Sequence, residues 1–261
     1  MIIPSSSPSR ALLVPAAILL LVRSSSGAVI EIDWLNLSSG GTPSAFELVD
    51  DAAATVVTGG WTIDPGAGIA FSGYPRSRAF DPGFWETPIH YADSTSGNGL
   101  VTGFDVRTVP QGGGAVYRIE MSLPAGRQFI LAVGGLYQDG GDATGNVTVD
   151  VQAGGTGRTV TLSQTVGWDN GVSAFDQAVD WSAGTQTLSP AAAAFGDSKL
   201  SFFDLGTSAS PATLTIAFPD GYGSGVGDEI SIALGVVAVP EPASWGIAAM
   251  GWMGILFRRR R

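Results

Sequence analysis

The chain has 261 residues, of which 13 are basic and 23 acidic, and it contains no cysteine. Without cysteine, the sequence excludes disulfides, thiolate metal sites and a cysteine nucleophile. Residues 29–239 carry seven basic and 22 acidic residues, a net charge of −15, which excludes the basic footprint that nucleic acid needs.

The first 28 residues have the order of a secretory signal peptide. Arg10 precedes the apolar run Ala11–Val22, and small residues follow at Ser26 and Ala28. A bilayer span takes about 20 apolar residues, and this run is shorter. We therefore predict cleavage after Ala28, with an uncleaved membrane anchor as the alternative.

Residues 29–239 predict one all-β body, an antiparallel β-sandwich or jelly roll. Apolar and polar residues alternate in several stretches, and glycine-rich or Asp-Pro-Gly breakers recur between them. Many short strands at such spacing are typical of sandwiches. The predicted strands are Val29–Leu37, Val116–Leu123, Phe129–Val133, Val147–Val151, Thr159–Ser163, Leu200–Leu205, Ala212–Phe218 and Glu229–Val237.

Four local features of the body give finer predictions. The continuous apolar run Phe129–Val133 predicts a central strand. The glycines at 154–157 predict a hairpin between the strands on either side of them. Tyr74–Asn98 has the weakest strand signals, so we expect a long loop. Trp34 and Trp181 lie in alternating stretches and are expected in the core.

Acidic loops make calcium the inorganic ligand to consider, because hard cations take oxygen ligands from carboxylates on loops. Asp50 and Asp51 form either a turn or part of a cation site. We otherwise expect no cofactor. The candidate calcium ligands are Asp139, Asp142, Asp220 and Asp228.

The candidates for catalysis are weaker than those for binding. His90 is the one histidine, and no Gly-x-Ser-x-Gly elbow accompanies it. Most aspartates stand beside glycine, where they cap turns, so we expect no enzyme. A secreted hydrolase using His90 or paired carboxylates stays a third alternative. Trp85 and Trp168 lie in loop-like segments and are candidate carbohydrate contacts.

The last 22 residues form a separate segment, residues 240–261. Pro240, Glu241 and Pro242 precede an uncharged apolar stretch, Ala243–Phe257, which predicts a short transmembrane helix. The terminal arginines should stay cytoplasmic, leaving the body outside. The residues that set membrane position are Trp245, Trp252, Arg258, Arg259, Arg260 and Arg261.

This arrangement resembles the PEP-CTERM sorting signal of Gram-negative bacteria. The resemblance implies export by the secretory machinery, an inner-membrane intermediate, and recognition of the tail by an exosortase. It also implies a place at the cell surface or in an extracellular matrix of exopolysaccharide or biofilm. An unprocessed membrane anchor is the alternative for the tail. For the body we expect a non-catalytic matrix protein, with a carbohydrate-binding module as the second hypothesis.

Overall fold

The computed structural model describes residues 29–38, 45–64, 76–80, 89–94, 101–107, 116–139, 142–143, 146–169, 174–191, 196–219 and 229–238. Within these ranges the chain forms strands and no helix. The strands in chain order are β1 (Ile30–Trp34), β2 (Asn36–Leu37), β3 (Phe46–Val49), β4 (Thr55–Asp64), β5 (Arg76–Phe80), β6 (Tyr91–Asp93), β7 (Val101–Arg107), β8 (Val116–Leu123), β9 (Gln128–Gly134), β10 (Tyr137–Asp139), β11 (Asp142–Ala143), β12 (Val147–Ala153), β13 (Thr156–Arg158), β14 (Thr161–Val166), β15 (Trp168–Asp169), β16 (Ala174–Gln177), β17 (Val179–Ser182), β18 (Thr187–Pro190), β19 (Gly196–Ser198), β20 (Leu200–Thr207), β21 (Ala212–Pro219) and β22 (Glu229–Val237).

The described strands form two large sheets and one small sheet. Sheet 1 has the order β14-β20-β9-β22-β1-β6, with β7 also paired to β22 and β5 to β7. Sheet 2 has the order β17-β18-β12-β21-β8-β4-β3-β2, with β13 on β12. Sheet 3 has the order β11-β10-β19-β16-β15. The described pairs are antiparallel except β1–β6 and β16–β19. The prediction of an all-β sandwich is confirmed.

A first core joins the inner faces of sheets 1 and 2. Strand β9 contributes Leu131 and Val133, and strand β8 contributes Ile119 and Met121, all fully buried. These side chains alternate with outward-facing ones on β8, as the period of two requires. One hydrophobic cluster with members from both sheets is what makes the two sheets a sandwich.

A second core covers the opposite face of sheet 1. The ring of Phe202 lies 6.1 Å from that of Trp34 and 5.3 Å from that of Tyr91, and these side chains are buried. Burial raises the pKa of Tyr91, a side-chain hydrogen bond with Ser163 opposes this, and the charge of Asp204 adds to it. The central strands β20, β9 and β22 of sheet 1 are therefore buried on both faces, which explains the continuous apolar run of β9. The prediction of β9 as a central strand is confirmed, because it lies between β20 and β22.

Three local predictions need correction. Gly154 and Gly155 form the predicted turn, but it joins β12 to β13, and β14 pairs with β20 in sheet 1. Tyr74–Asn98 is not one loop, because it contains β5 and β6. The predicted strand Val29–Leu37 divides at Leu35, whose amide donates to the Leu234 carbonyl at 2.9 Å. Its two parts, β1 and β2, enter different sheets.

Candidate functional site

The two ends of the body lie side by side on neighbouring strands. Strand β1 pairs antiparallel with β22, with Ile32 opposite Val237, and the Ala238 amide donates to the Glu31 carbonyl at 3.0 Å. The Ile30 amide donates to the His90 carbonyl at 2.6 Å, which ties the start of β1 to the segment before β6. The segments before residue 29 and after residue 238 therefore continue from the same edge of sheet 1, by which we mean the side of the sheet where β1 starts and β22 ends.

A groove of about 540 Å³ opens at this edge, and we name it the rim groove. Residues 236–238 form one wall, so the groove begins where the chain leaves the body. The turn between β8 and β9 and the end of β20 supply the other walls. The lining residues are Asp33, Ser94, Gly126, Arg127, Gln128, Thr207, Val236, Val237 and Ala238.

Asp33 lines the rim groove and has a perturbed pKa. Its pKa is raised, first by burial and then by the negative charges of Asp51, Asp50 and Asp93. The positive charge of Arg127 acts in the opposite direction. The carboxylate therefore lies in a negative environment, where a cationic or hydrogen-bond-donating group from outside would be stabilised.

Of the two interpretations of Asp50 and Asp51, the turn is the one that the structure shows. The Asp50 carboxylate oxygen Oδ1 accepts hydrogen bonds from the amides of Ala52 at 3.0 Å and Ala54 at 2.9 Å. The Asp50 carbonyl also accepts from the Ala53 amide at 2.9 Å. This carboxylate stabilises the turn between β3 and β4, in the manner of an Asx turn.

The outer face of sheet 2 carries a second groove, of about 360 Å³, which we name the face groove. At its centre Gly60 lies opposite Glu120, so the missing side chain on β4 leaves space beside the carboxylate. The register also places Thr58 opposite Ser122, and Ser122 opposite Thr213. The face groove thus presents hydroxyl groups and one carboxylate, a lining suited to hydrogen bonds with a polyhydroxyl ligand.

One tryptophan, Trp61, is among the residues that line this groove. Trp61 belongs to the first core and is 9% exposed, and Trp34 belongs to the second core. Trp181 is half-buried, with its ring 4.7 Å from that of Phe203. The core positions predicted for Trp34 and Trp181 are confirmed, with Trp181 at the margin of the core.

The structure does not describe the side chains of the two tryptophans predicted to contact carbohydrate. Trp85 lies outside the described residues. Trp168 was expected in a loop-like segment, but it begins β15, where its backbone is paired with Phe175; its side chain is not described. An aromatic platform therefore stays a prediction at these two positions.

Of the four candidate calcium ligands, the structure describes the backbones of two. Asp139 and Asp142 end β10 and begin β11, and their backbones lie directly opposite each other. Asp220 and Asp228 lie outside the described residues. Within the part of the chain that the structure describes, no three His, Cys, Asp or Glu residues come together as a metal site.

His90 is exposed and contributes through its backbone. Its amide donates to the side-chain carbonyl Oε1 of Gln164 at 2.8 Å, and its carbonyl accepts the Ile30 amide. These bonds join strands β1, β6 and β14 of sheet 1.

Sequence reasoning missed both grooves. The alternation of β8 is enough to predict that Glu120 points outward. That Gly60 faces it depends on the cross-strand register, which a single sequence does not reveal. For the rim groove, the contributing segments are spread along the chain from residue 33 to residue 238, and Asp33 and Arg127 carry no local signal of their proximity.

Comparison with known proteins identifies the C-terminal tail. A family model described as the PEP-CTERM protein-sorting motif matches residues 238–261. The chain therefore carries this motif, and the predicted resemblance is confirmed. The motif implies an exported protein that is sorted by an exosortase and placed at the cell surface or outside the cell.

This family match covers the tail alone. No curated protein matches the chain. A solved structure described as "Structural basis for the promiscuous specificity of the carbohydrate-binding modules from the beta-sandwich super family" is similar over 81% of this chain and 86% of its own. The identity is 7% and the TM-score 0.27, values at which the similarity carries no argument about fold or ligand.

The predicted leader and the tail residues lie outside the described residues. This applies to the segment 1–28 and to the sorting and topology residues, which are Pro240, Glu241, Pro242, Trp245, Trp252, Arg258, Arg259, Arg260 and Arg261. Among the residues that are described, no helix has the length and apolar character to cross a membrane. The signal peptide, the short transmembrane helix and the boundaries at residues 28 and 240 stay predictions.

Proposed function

We propose that the body is a non-catalytic component of an extracellular polysaccharide matrix, delivered there by its C-terminal tail. The observation that supports this is the sorting motif, which begins at Ala238, directly after the last strand of the body. In this proposal the chain passes through an inner-membrane intermediate, loses its leader after Ala28, and is cut near Pro240–Ala243. No cofactor takes part.

The test is the intact mass and the location of the native protein, compared with those of a Glu241→Gln variant. The parent is expected in the surface or matrix fraction, starting at Val29 and ending near the Pro-Glu-Pro motif. The variant should accumulate in the membrane fraction with its full C-terminus. Glu47→Gln is the matched control, because it makes the same change at an exposed position of β3. A parent protein with an intact C-terminus in the membrane would favour the anchor instead.

The face groove supports a second candidate function, that of a carbohydrate-binding module. Its hydroxyl lining and its single carboxylate suit a neutral sugar, because the net charge of −15 on the body repels anionic polymers. Retention of the protein on a glycan array, lost in Glu120→Gln and in Gly60→Leu, would support it. Substitution of Trp85 or Trp168 by alanine tests the aromatic alternative on the same array. Retention of no neutral glycan by the parent would refute both.

A further inference from the structure

The sorting motif follows the folded body almost without a linker. The Ala238 amide still donates a hydrogen bond to the Glu31 carbonyl, and Pro240 comes two residues later. Two residues of extended chain span at most about 7 Å. An enzyme that binds the Pro-Glu-Pro segment must therefore approach the edge of sheet 1 at which the rim groove opens.

The end of β22 is not easily pulled away to lengthen this short connection. Val236 is paired on one side with Phe129 of β9 and on the other with Asp33 of β1. Its side chain packs against the first core, while that of Val237 packs against the second core. Release of these residues would break ladder bonds to two neighbouring strands and expose apolar surface. The body is therefore expected to keep β22 paired while the tail is recognised.

The surface next to the motif is concave and carries both apolar and charged side chains. Residues 236–238 are one wall of the rim groove, and Asp33 and Arg127 provide charges within it. Asp50, Asp51 and Asp93 act on Asp33 electrostatically, so acidic groups dominate this edge. Such a surface complements a partner that presents basic or hydrogen-bond-donating side chains.

We propose that the rim groove is a docking surface for the sorting enzyme that cuts the tail, occupied by a loop of that enzyme with basic or donor side chains. The body then takes part in its own sorting, and the motif alone supplies only part of the recognition. This inference rests on the sorting motif and is independent of the matrix role of the body.

The first experiment separates the motif from the rim groove in the full-length chain, in a host that contains the sorting enzyme. A flexible Gly-Ser linker of about 12 residues is inserted between Ala238 and Val239. Processing, followed as conversion of the precursor to the shorter form, should slow by about tenfold, equivalent to about 1.4 kcal/mol of lost contact energy. Processing at the parental rate would overturn the proposal, because the motif would then be recognised without the body.

The second experiment fills the rim groove. Thr207 is exposed and lines it, so Thr207→Trp should slow processing while the thermal midpoint stays near the parental value. Thr213→Trp places the same side chain in the face groove and should be processed at the parental rate. Equal rates in the two variants would refute docking at the rim. If the parent itself is never cut, sorting fails as a whole, an outcome distinct from the failure of docking alone.

The third experiment tests whether β22 stays paired. Ile32 and Val237 lie opposite each other between the hydrogen-bonded pairs Glu31–Ala238 and Leu35–Leu234, a close-approach position that suits a disulfide. The chain has no other cysteine, so the double variant Ile32→Cys/Val237→Cys forms one defined crosslink. The oxidised protein should be processed as fast as its reduced form. Processing that stops on oxidation and returns on reduction would show that β22 must open, which contradicts docking on the folded rim.

Discussion

The two large sheets differ in how many of their faces are buried. The central strands of sheet 1 are buried on both faces, so neighbouring residues of β20 such as Phe202 and Phe203 are both fully buried. Sheet 2 is buried on one face, and β8 alternates buried and outward residues along its length. Double burial makes sheet 1 the stable frame that holds both ends of the body. Single burial leaves the outer face of sheet 2 free to vary in polar residues.

The largest expected effect tests whether the second core contributes as much to the stability of the fold as the first core does. Phe202→Ala and Phe203→Ala remove the same side chain from opposite faces of one strand. Each should lower the free energy of unfolding by about 3–5 kcal/mol, measured by urea denaturation. A small loss in Phe202→Ala alone would mean that the outer face of sheet 1 is only loosely covered.

In sheet 2, by contrast, truncation should lower stability strongly on the inner face only. Leu214 faces the first core and its neighbour Thr213 faces outward on β21. Leu214→Ala should cost about 2–5 kcal/mol, whereas Thr213→Ala should stay within about 0.5 kcal/mol. Comparable losses at the two positions would indicate that the outer face of sheet 2 is also packed.

A glycine substitution tests the pairing of β1 with β22 within sheet 1. A Cβ atom at Gly235 would collide with the side chain of Ile32 and lie 2.9 Å from the Trp34 ring. Gly235→Val should therefore cost about 1–3 kcal/mol through overpacking. Gly157 on β13 has open space around it, so Gly157→Val is the matched control and should change stability little. A tolerated Gly235→Val would contradict the close approach of these strands.

The smallest expected effect concerns pH. The pKa of Asp33 is raised above its usual 3.8, so the folded state binds its proton more tightly than the unfolded state does. This carboxyl contributes its full stability below the unfolded pKa, and the contribution is lost as the pH rises through the folded pKa. Asp33→Asn should therefore be more stable than the parent at neutral pH, with a difference that narrows in acid. Urea midpoints across this pH range, with Asp180→Asn as the exposed control, measure it. A gap that widens in acid would contradict the raised pKa.

Strands with local signals were predicted well, and features that depend on distant pairing were not. The alternation of β8 and the bounds of β22 can be read from the residues themselves. Strand β4 escaped prediction because Gly59 and Gly60 look like a breaker in a single sequence. In the fold a Cβ at Gly59 would lie 2.5 Å from the Phe46 ring, so this glycine makes room for a neighbouring strand.

The candidate sites show the same limit. The sorting motif was predicted because its residues are contiguous, and the family match confirms it. The two grooves require the register of β4 on β8 and the meeting of β1 with the turn before β9. Neither is encoded within any one stretch of the chain, so no local pattern could reveal them.

The pairing of β22 with its neighbours also has a mechanical consequence. If the body is held elsewhere, a pull on the tail acts along the axis of β22, and the ladders to β9 and β1 resist sliding together. A pull between the two ends of the body instead separates β1 from β22 one hydrogen bond at a time. The pairing of β1 with β22 therefore resists a pull on the tail alone, and it is weak against a pull that draws the start of β1 away from the end of β22.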